Sequence, residues 1–475
     1  MQGFDLEING PNVIQESERK GKPSSLFWPW AGANVSLLAL SYGAFFLGFG
    51  ISFRQATAAA IIGTVGSFFL VGLSSLAGKR SNAPTTVLVR ASFGVKGSIV
   101  PGFLSYLVFV GWETVLVSLA TLATGTVFSR FTGIDNNLAL ILGFLVAVAL
   151  TMLGGVLGFN MIMRIQKILT ITTVALTTVY IVLTYDNVNW DAVTSIEDGT
   201  SQAFIGAAIF AVTGIGLGWV NCAADYSRYL PRSVSGKAVV GWTVFGASVV
   251  PILLVIYGTA LSASDSDLSD AIANDPIGAL TTILPTCFLI FFALIAILGL
   301  VGGAILDLYS SGLALVSIGV PIKRHQAALV DSVIMLVGTI YIVWIANNFF
   351  YPFQGFLITL GVPVAVWSGI FVADVILRSK PYDEKALFDK NGIYGSVNKG
   401  SIFLMALGTF IGWGFVTNSF ASWLVWQGYL MSVIGGKEGA WAYANVGVIF
   451  ALLIGFLGHA LLSRKSIRSQ ERSKQ

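Results

Sequence analysis

The stretch Phe204 to Arg232, FIGAAIFAVTGIGLGWVNCAADYSRYLPR, decides how this chain is read. Its first half is apolar enough to cross a bilayer. Its middle carries glycine at every second position, Gly214, Gly216 and Gly218. Each glycine weakens a helix by about 1 kcal/mol relative to alanine, so this cluster invites unwinding. Unwound backbone inside a membrane persists only where protein or a watery cavity satisfies its polar groups. Broken helices of that kind line midplane solute sites. The same glycines would also serve as a packing face between helices. The stretch then leaves the apolar region through Asp225, Arg228 and Arg232.

Composition sets the class. Of the 475 residues, 55% are hydrophobic and only 11% are charged, against about 25% charged in a soluble domain. Apolar runs near the length of a bilayer recur along the whole chain, which predicts an all-α polytopic membrane protein in a lipid bilayer. Twelve spans are expected, at about 30–53, 55–77, 99–129, 136–160, 164–185, 201–222, 238–262, 281–318, 327–346, 352–377, 401–419 and 440–462. A net charge of +4 sits in the loops and implies no nucleic-acid partner. Residues 1–28 lack the apolar core of a signal peptide and read as a flexible cytoplasmic arm. Cys222 and Cys287 imply neither a disulfide framework nor a metal site, and two histidines are too few for a metalloenzyme.

Orientation follows from charge. With the N-terminus inside, 24 of the 27 Lys and Arg fall on cytoplasmic tails and loops, and only Arg54, Arg130 and Lys437 fall outside. Such a bias sets topology. It places both termini in the cytoplasm, with 463–475 as the C-terminal tail, and points to the plasma membrane. The transporter domain is then 29–462. Spans one to five, about 30–185, and six to ten, about 201–378, point in opposite directions because five is odd, and 401–462 adds two helices. The first span, WAGANVSLLALSYGAFFLGFGISF, is breakable through Gly43, Gly48 and Gly50, so a breakable span opens each half. Paired interrupted spans are the pointer to a transport site. The loop 78–98 is expected to be a partly re-entrant or surface-packed connector. Its GKRS lacks the glycine spacing of a phosphate loop, and GIGLG lacks the context of a dinucleotide fingerprint.

Two acids lie deep in spans, Glu113 after Trp112 and Asp307 within GGAILDLYSSGL. An intramembrane carboxyl is a functional candidate by default, able to take and release a proton during a cycle. The competing role is a structural acid hydrogen-bonded to its neighbours. Asp225, Asp331 and Asp374 sit nearer the inner ends, where a salt bridge or cap is the expected job. Trp112 and Trp219 are the aromatics on which a flat heterocycle would stack. Asn34, Ser41, Ser310 and Ser311 would supply hydrogen bonds, to solute or between helices.

Several of these stretches together resemble the nucleobase:cation symporter-1 family, the purine–cytosine permeases. The likeness covers about residues 28 to 460. It rests on WAGANVSLLALSYGAFFLGFG, NAPTTVLVRASFGVKGS, VGWETV, CAADYSRYLPR, LDLYSSGL and LFDKNGIYGSVNKG. The resemblance implies a leucine-transporter-like five-plus-five inverted repeat with two extra helices. It implies that the substrate stacks on Trp112 and meets backbone at Gly216 and Gly218. Family members often carry an amide one turn after that Trp, where this chain has Leu116. They often carry Asn on the eighth span, where Ala304 is aligned. Sodium-coupled members use hydroxyls where Leu298 and Gly299 stand here. These departures favour a co-transported proton over sodium, titrating Asp307 or Glu113, with no other cofactor and no metal.

The expected function is a symporter that imports cytosine, a purine or a related nucleobase by alternating access. The expected substrate contacts are Trp112, Gly216, Gly218, Trp219, Ser41 and Ala304. Other readings are a carrier of another small heterocycle (a vitamin precursor, allantoin or a hydantoin), an intramembrane enzyme using Glu113 and Asp307 as a carboxylate pair, and a channel. The sequence leaves oligomeric state open.

Overall fold

A computed structural model describes residues 10–155, 159–346 and 348–472. The first span is two helices, α1 (Phe27–Asn34) and α2 (Leu38–Leu47), whose axes differ by 64°. After α3 (Phe53–Lys79), the connector holds two single turns, α4 (Thr85–Leu88) and α5 (Arg90–Phe93). Next come α6 (Ile99–Thr132), α7 (Asn136–Gly155) and α8 (Phe159–Thr184), and a short α9 (Trp190–Ser195) leads to the second half. That half opens with α10 (Ser201–Ala211), which passes through a π turn at Val212–Gly216 and a 3₁₀ segment at Leu217–Cys222 into α11 (Ala223–Ser227). It continues through α12 (Gly236–Ser264), α13 (Ser266–Asn274), α14 (Leu289–Ser317), α15 (Arg324–Ile340) and α16 (Phe350–Leu377). The chain closes with α17 (Lys399–Gly414) and α18 (Gly447–Arg472).

Among the described residues, ten helices are long and apolar enough to cross a membrane, and the bent pair makes eleven. The expected eleventh span is α17, only 16 residues long. That is about 24 Å of helix, short of a hydrocarbon core of about 30 Å. It stops early because the chain folds back and caps it: Gly428 and Leu430 N–H donate to the carbonyls of Trp413 and Gly414, at 2.7 and 2.9 Å.

Burial separates inner staves from outer ones. In α6 and α16, 72% and 78% of the most apolar window is buried, and the same window around α14 is 72% buried. The window around α15 is only 28% buried, which leaves its flank for lipid. Both breaks face the inner staves.

Two expectations need correction. The first span breaks at Val35–Leu37, before its glycine cluster, because the Ser36 hydroxyl accepts from Leu38 N–H at 3.2 Å and starts a new helix. Gly43 serves contact instead: it lies backbone to backbone against Gly258 of α12, where either Cβ would clash. The N-terminal arm is also docked rather than free from Gly10 onward. Arg19 donates to the carbonyls of Ser81 (2.6 Å) and Lys79 (2.7 Å) and to the Asn82 side chain, and Arg232 pairs with Glu16 at 2.6 Å.

Candidate functional site

At the two breaks the backbone gives up regular i→i−4 bonding, so carbonyls and side chains can turn toward one space. Behind the first break stand glycines of α14. A Cβ on Gly299 would lie 2.8 Å from the Val35 carbonyl, so only glycine lets α14 approach so near. At the second break the helix widens to a π turn and then tightens to 3₁₀, staying helical throughout. The Tyr42 hydroxyl donates to the Gly214 carbonyl at 2.7 Å and ties the two breaks together.

Between them lies a cavity walled by α1, α2, α6, the second break, Pro251 of α12 and Asp307 of α14. About 630 Å³ in and around it is not filled by protein atoms, part of it open to solvent, and only about 60 Å³ admits the centre of a water molecule. So little free room makes it a narrow slit, below the usual volume of an open small-molecule pocket. Trp112 forms one wall. Its indole nitrogen sits opposite Gly218, where a Cβ would come within 3.3 Å, and its ring meets Phe353 edge-on at 5.7 Å. Trp219 forms another wall and is held edge-on to Trp30 at 5.8 Å. Asn34 donates its amide N–H to the Trp30 carbonyl at 2.8 Å, which leaves its side-chain oxygen as an acceptor. Asp307 is 3% exposed and lines the slit, and its Oδ2 has no hydrogen-bond partner. A buried polar atom without a partner in a native fold marks strain or function.

Trp112, Gly218, Trp219, Asp307 and Leu116 thus stand together around the cavity, as expected. Four expected residues do not. Gly216 faces the opposite way, against Ser67 of α3. Ser41 is fully buried and donates to the Pro276 carbonyl at 2.5 Å, holding α2 to the loop between α13 and α14. Ala304 is also fully buried, and the cavity's residue on α14 is Asp307, one turn later. Glu113 is 0% exposed, does not line the cavity, and has no partner for either carboxylate oxygen. The two acids therefore do not meet on one water in this cavity, as a carboxylate-pair enzyme would need. Ser310 and Ser311 join helices, donating to Asp225 at 3.0 Å and Asp331 at 2.7 Å. Gly214 of the glycine cluster also lines the cavity, and so do Tyr42 and Thr213, which were missed. Tyr42 was signalled by its spacing from Leu38, the i,i+4 step that puts both on one helix face.

A second, larger hollow opens at the opposite end of α2, lined by Phe45, Phe49, Gln202, Asp270 and Gln354 among others. The two spaces are divided by aromatic rings. Tyr42 packs edge-on with Phe210 at 5.6 Å and stacks on Phe353 at 6.5 Å, and Phe45 meets Phe210 at 6.1 Å. Toward the Lys/Arg-rich face the closure is thick and polar. Asp225 accepts from Thr85 N–H (2.8 Å), Thr85 Oγ1 (2.9 Å) and Ser310, and the docked N-terminal segment lies beyond it.

A slit at mid-depth between two broken helices, with a thin aromatic closure on one side and a thick polar one on the other, defines a membrane carrier of a small solute. The family can be named as well. Residues 13–439 match the model of the permeases for cytosine/purines, uracil, thiamine and allantoin, and the chain belongs to that family. YxlA of Bacillus subtilis (strain 168), named as a purine-cytosine permease, is 28% identical over 435 residues, 90% of this chain and 91% of its own. The cytosine permease of Escherichia coli (strain K12) is 27% identical over 369 residues, covering 76% of this chain and 79% of its own. Among solved structures, the fold is shared with the inward-facing form of Mhp1 (TM-score 0.70, 18% identity, 100% of this chain and 96% of that one). It is shared equally with the closed form of Mhp1, a nucleobase-cation-symport-1 family transporter bound to bromovinylhydantoin (TM-score 0.69, 18% identity, 98% of each chain).

Proposed function

We propose that this chain is a proton-coupled symporter of the plasma membrane that imports a nucleobase, cytosine or a purine, by alternating access. The observation that carries the reading is Asp307. It brings an unpartnered carboxyl oxygen to the wall of a slit whose other faces are Trp112 and Trp219. A flat heterocycle stacks between such rings, and a carboxyl offers its ring N–H groups an acceptor. Proton coupling over sodium is supported at the first break. A hard cation there needs oxygen ligands, yet the α14 residue facing the Val35 carbonyl is Gly299, which has no side-chain oxygen to add to it. The positive-inside bias supports cytoplasmic termini, which makes the hollow around Phe45 and Asp270 the outer vestibule. Substrate would bind the outward and inward states differently and so shift their populations. A second reading, a less polar heterocycle of the thiamine-precursor or hydantoin type, is favoured by apolar Leu116 on the wall.

The test is uptake of radiolabelled cytosine, adenine, hypoxanthine and uracil in cells lacking their own permeases. Each is run with and without sodium, and with a protonophore. Uptake that persists without sodium and collapses with the protonophore is expected. Uptake that requires sodium would overturn proton coupling, and no uptake of any base by folded protein would overturn the substrate class.

A further inference from the structure

Glu113 lies outside the cavity, yet it is fully buried and neither of its carboxylate oxygens has a hydrogen-bond partner. A structural acid would have donors around it. Its electrostatic neighbours are two other buried acids, Asp331 of α15 and Asp307 of α14. Asp331 accepts from Ser311 Oγ at 2.7 Å and has the Tyr106 hydroxyl of α6 beside it. Ser311 follows Asp307 by one helical turn on the same face of α14. From the Lys/Arg-rich ends of their helices, Asp331 lies about 10 Å deep, Asp307 about 15 Å and Glu113 about 21 Å, taking 1.5 Å per residue. The three acids thus form a ladder along the seam of α6, α14 and α15, and only Asp307 touches the cavity.

We propose that Asp331 is an inner proton station, with Glu113 at the deep end of the same ladder, that takes the coupling proton from Asp307 and delivers it to the cytoplasm along the α6–α14–α15 seam, apart from the substrate's path. This rests on the proton-coupled reading above. The transfer is a plain acid–base exchange. Asp307 makes no hydrogen bond to Ser311 in this conformation, so the relay closes when the Asp307 carboxyl swings toward Ser311: the acid then loses its proton to the Ser311 hydroxyl as Ser311 passes its own to the Asp331 carboxylate. Asp307 ends ionised and Asp331 neutral, and release past Arg324 to water restores the Asp331 carboxylate. The rival acceptor is Asp225, on the Ser310 side of Asp307. Its oxygens already take three hydrogen bonds, from Thr85 N–H, Thr85 Oγ1 and Ser310 Oγ, so it is a structural anchor. The groups facing the ladder are Tyr106 from α6, Tyr309 and Arg324 at its inner end, and Cys222 opposite Asp307. The described part of α7 carries no titratable side chain.

The experiment uses the purified full chain in liposomes with radiolabelled cytosine. Accumulation under an inward proton gradient is compared with exchange between equal cytosine pools at symmetric pH. Asp331→Asn and Glu113→Gln are expected to cut gradient-driven accumulation tenfold or more while exchange stays within twofold of wild type. Asp331→Glu is expected to restore part of the accumulation. If Asp331→Asn accumulates cytosine as wild type does, the station is overturned. Loss of exchange as well, without rescue by Asp331→Glu, would overturn it in favour of a structural role. Wild-type accumulation indifferent to a protonophore would instead bring down the proton-coupled reading, and this inference with it.

Discussion

Asp307 and Ala304 stand one turn apart on α14, and only the acid reaches the cavity. At this scale, a function is decided by which face of a helix a residue occupies. Asp307→Asn keeps the size but removes the ionisable oxygen, and is expected to lower uptake at least tenfold with the protein still folded, measured by radiolabelled uptake and thermal unfolding. Trp112→Ala removes the stacking wall, a contact of about 1 kcal/mol beyond its area burial. It should raise the half-saturating substrate concentration about fivefold to tenfold, while Trp112→Phe keeps most of the affinity. The acid and the tryptophans were legible in the sequence because charge and large aromatics in an apolar run are conspicuous. Gly216 and Ser41 were misplaced because facing is not visible in a list. Gly214 and Gly218 are four apart and share a face, while Gly216 between them turns to Ser67. Ser41 and Tyr42 are neighbours in sequence and point to different partners, Pro276 and Gly214.

Among the elements, the breaks have two different causes. The α10 break follows its glycines, as sequence indicated, though it takes the form of a π turn and a 3₁₀ segment. The α1–α2 break follows Ser36, a residue that competes for backbone hydrogen bonds, while Gly43 of that span is spent on packing and Gly50 on a left-handed turn at φ +70°. The contact of Gly43 with Gly258 joins α2 to α12 so closely that a side chain on either would strike backbone. Gly258→Leu is therefore expected to destabilise the protein by about 1–3 kcal/mol or more, the usual cost of overpacking, and to lower its thermal midpoint in detergent. Gly241 of the same helix has open space where a Cβ would go, so Gly241→Ala should hold or slightly raise that midpoint, as alanine favours helix, and serves as the control.

Over the whole molecule, the two ends are closed unequally. A few aromatic rings separate the cavity from the outer hollow, while the Lys/Arg-rich end is sealed by three loops and the N-terminal segment. Arg232 is central to that seal, bonding Glu16, Asn82 and Glu384 at 2.6, 3.1 and 2.8 Å. Arg232→Ala is expected to free the segment, read as faster labelling of a cysteine placed at Ser17 and a shift toward states open at that end. The Arg232 guanidinium beside Glu16 holds its carboxyl below the ordinary value of 4.5. A lowered value means that docking gains from this pair at all pH above that ordinary value and loses it as pH falls through the lowered one. Labelling at position 17, divided at each pH by that of the same cysteine in the unfolded protein to remove the change in thiolate fraction, should therefore be flat above the ordinary value and rise only as pH falls through the lowered one.

The sequence by itself determined the membrane class and the breaks in the first and sixth spans, and its charge bias predicts the orientation. These depend on composition, charge bias and local backbone preference, which act within one segment at a time. It also marked Trp112, Trp219, Gly218 and Asp307. The tertiary structure alone decided that Glu113 stands off the cavity, that Tyr42 bridges the breaks, that α17 falls short of a full span, and that the N-terminal arm is docked. Each of these depends on contacts between residues far apart in the chain. Arg19 reaching Asn82 and Tyr42 reaching Gly214 leave no local pattern, because side-chain partners across helices are chosen by packing angle and register.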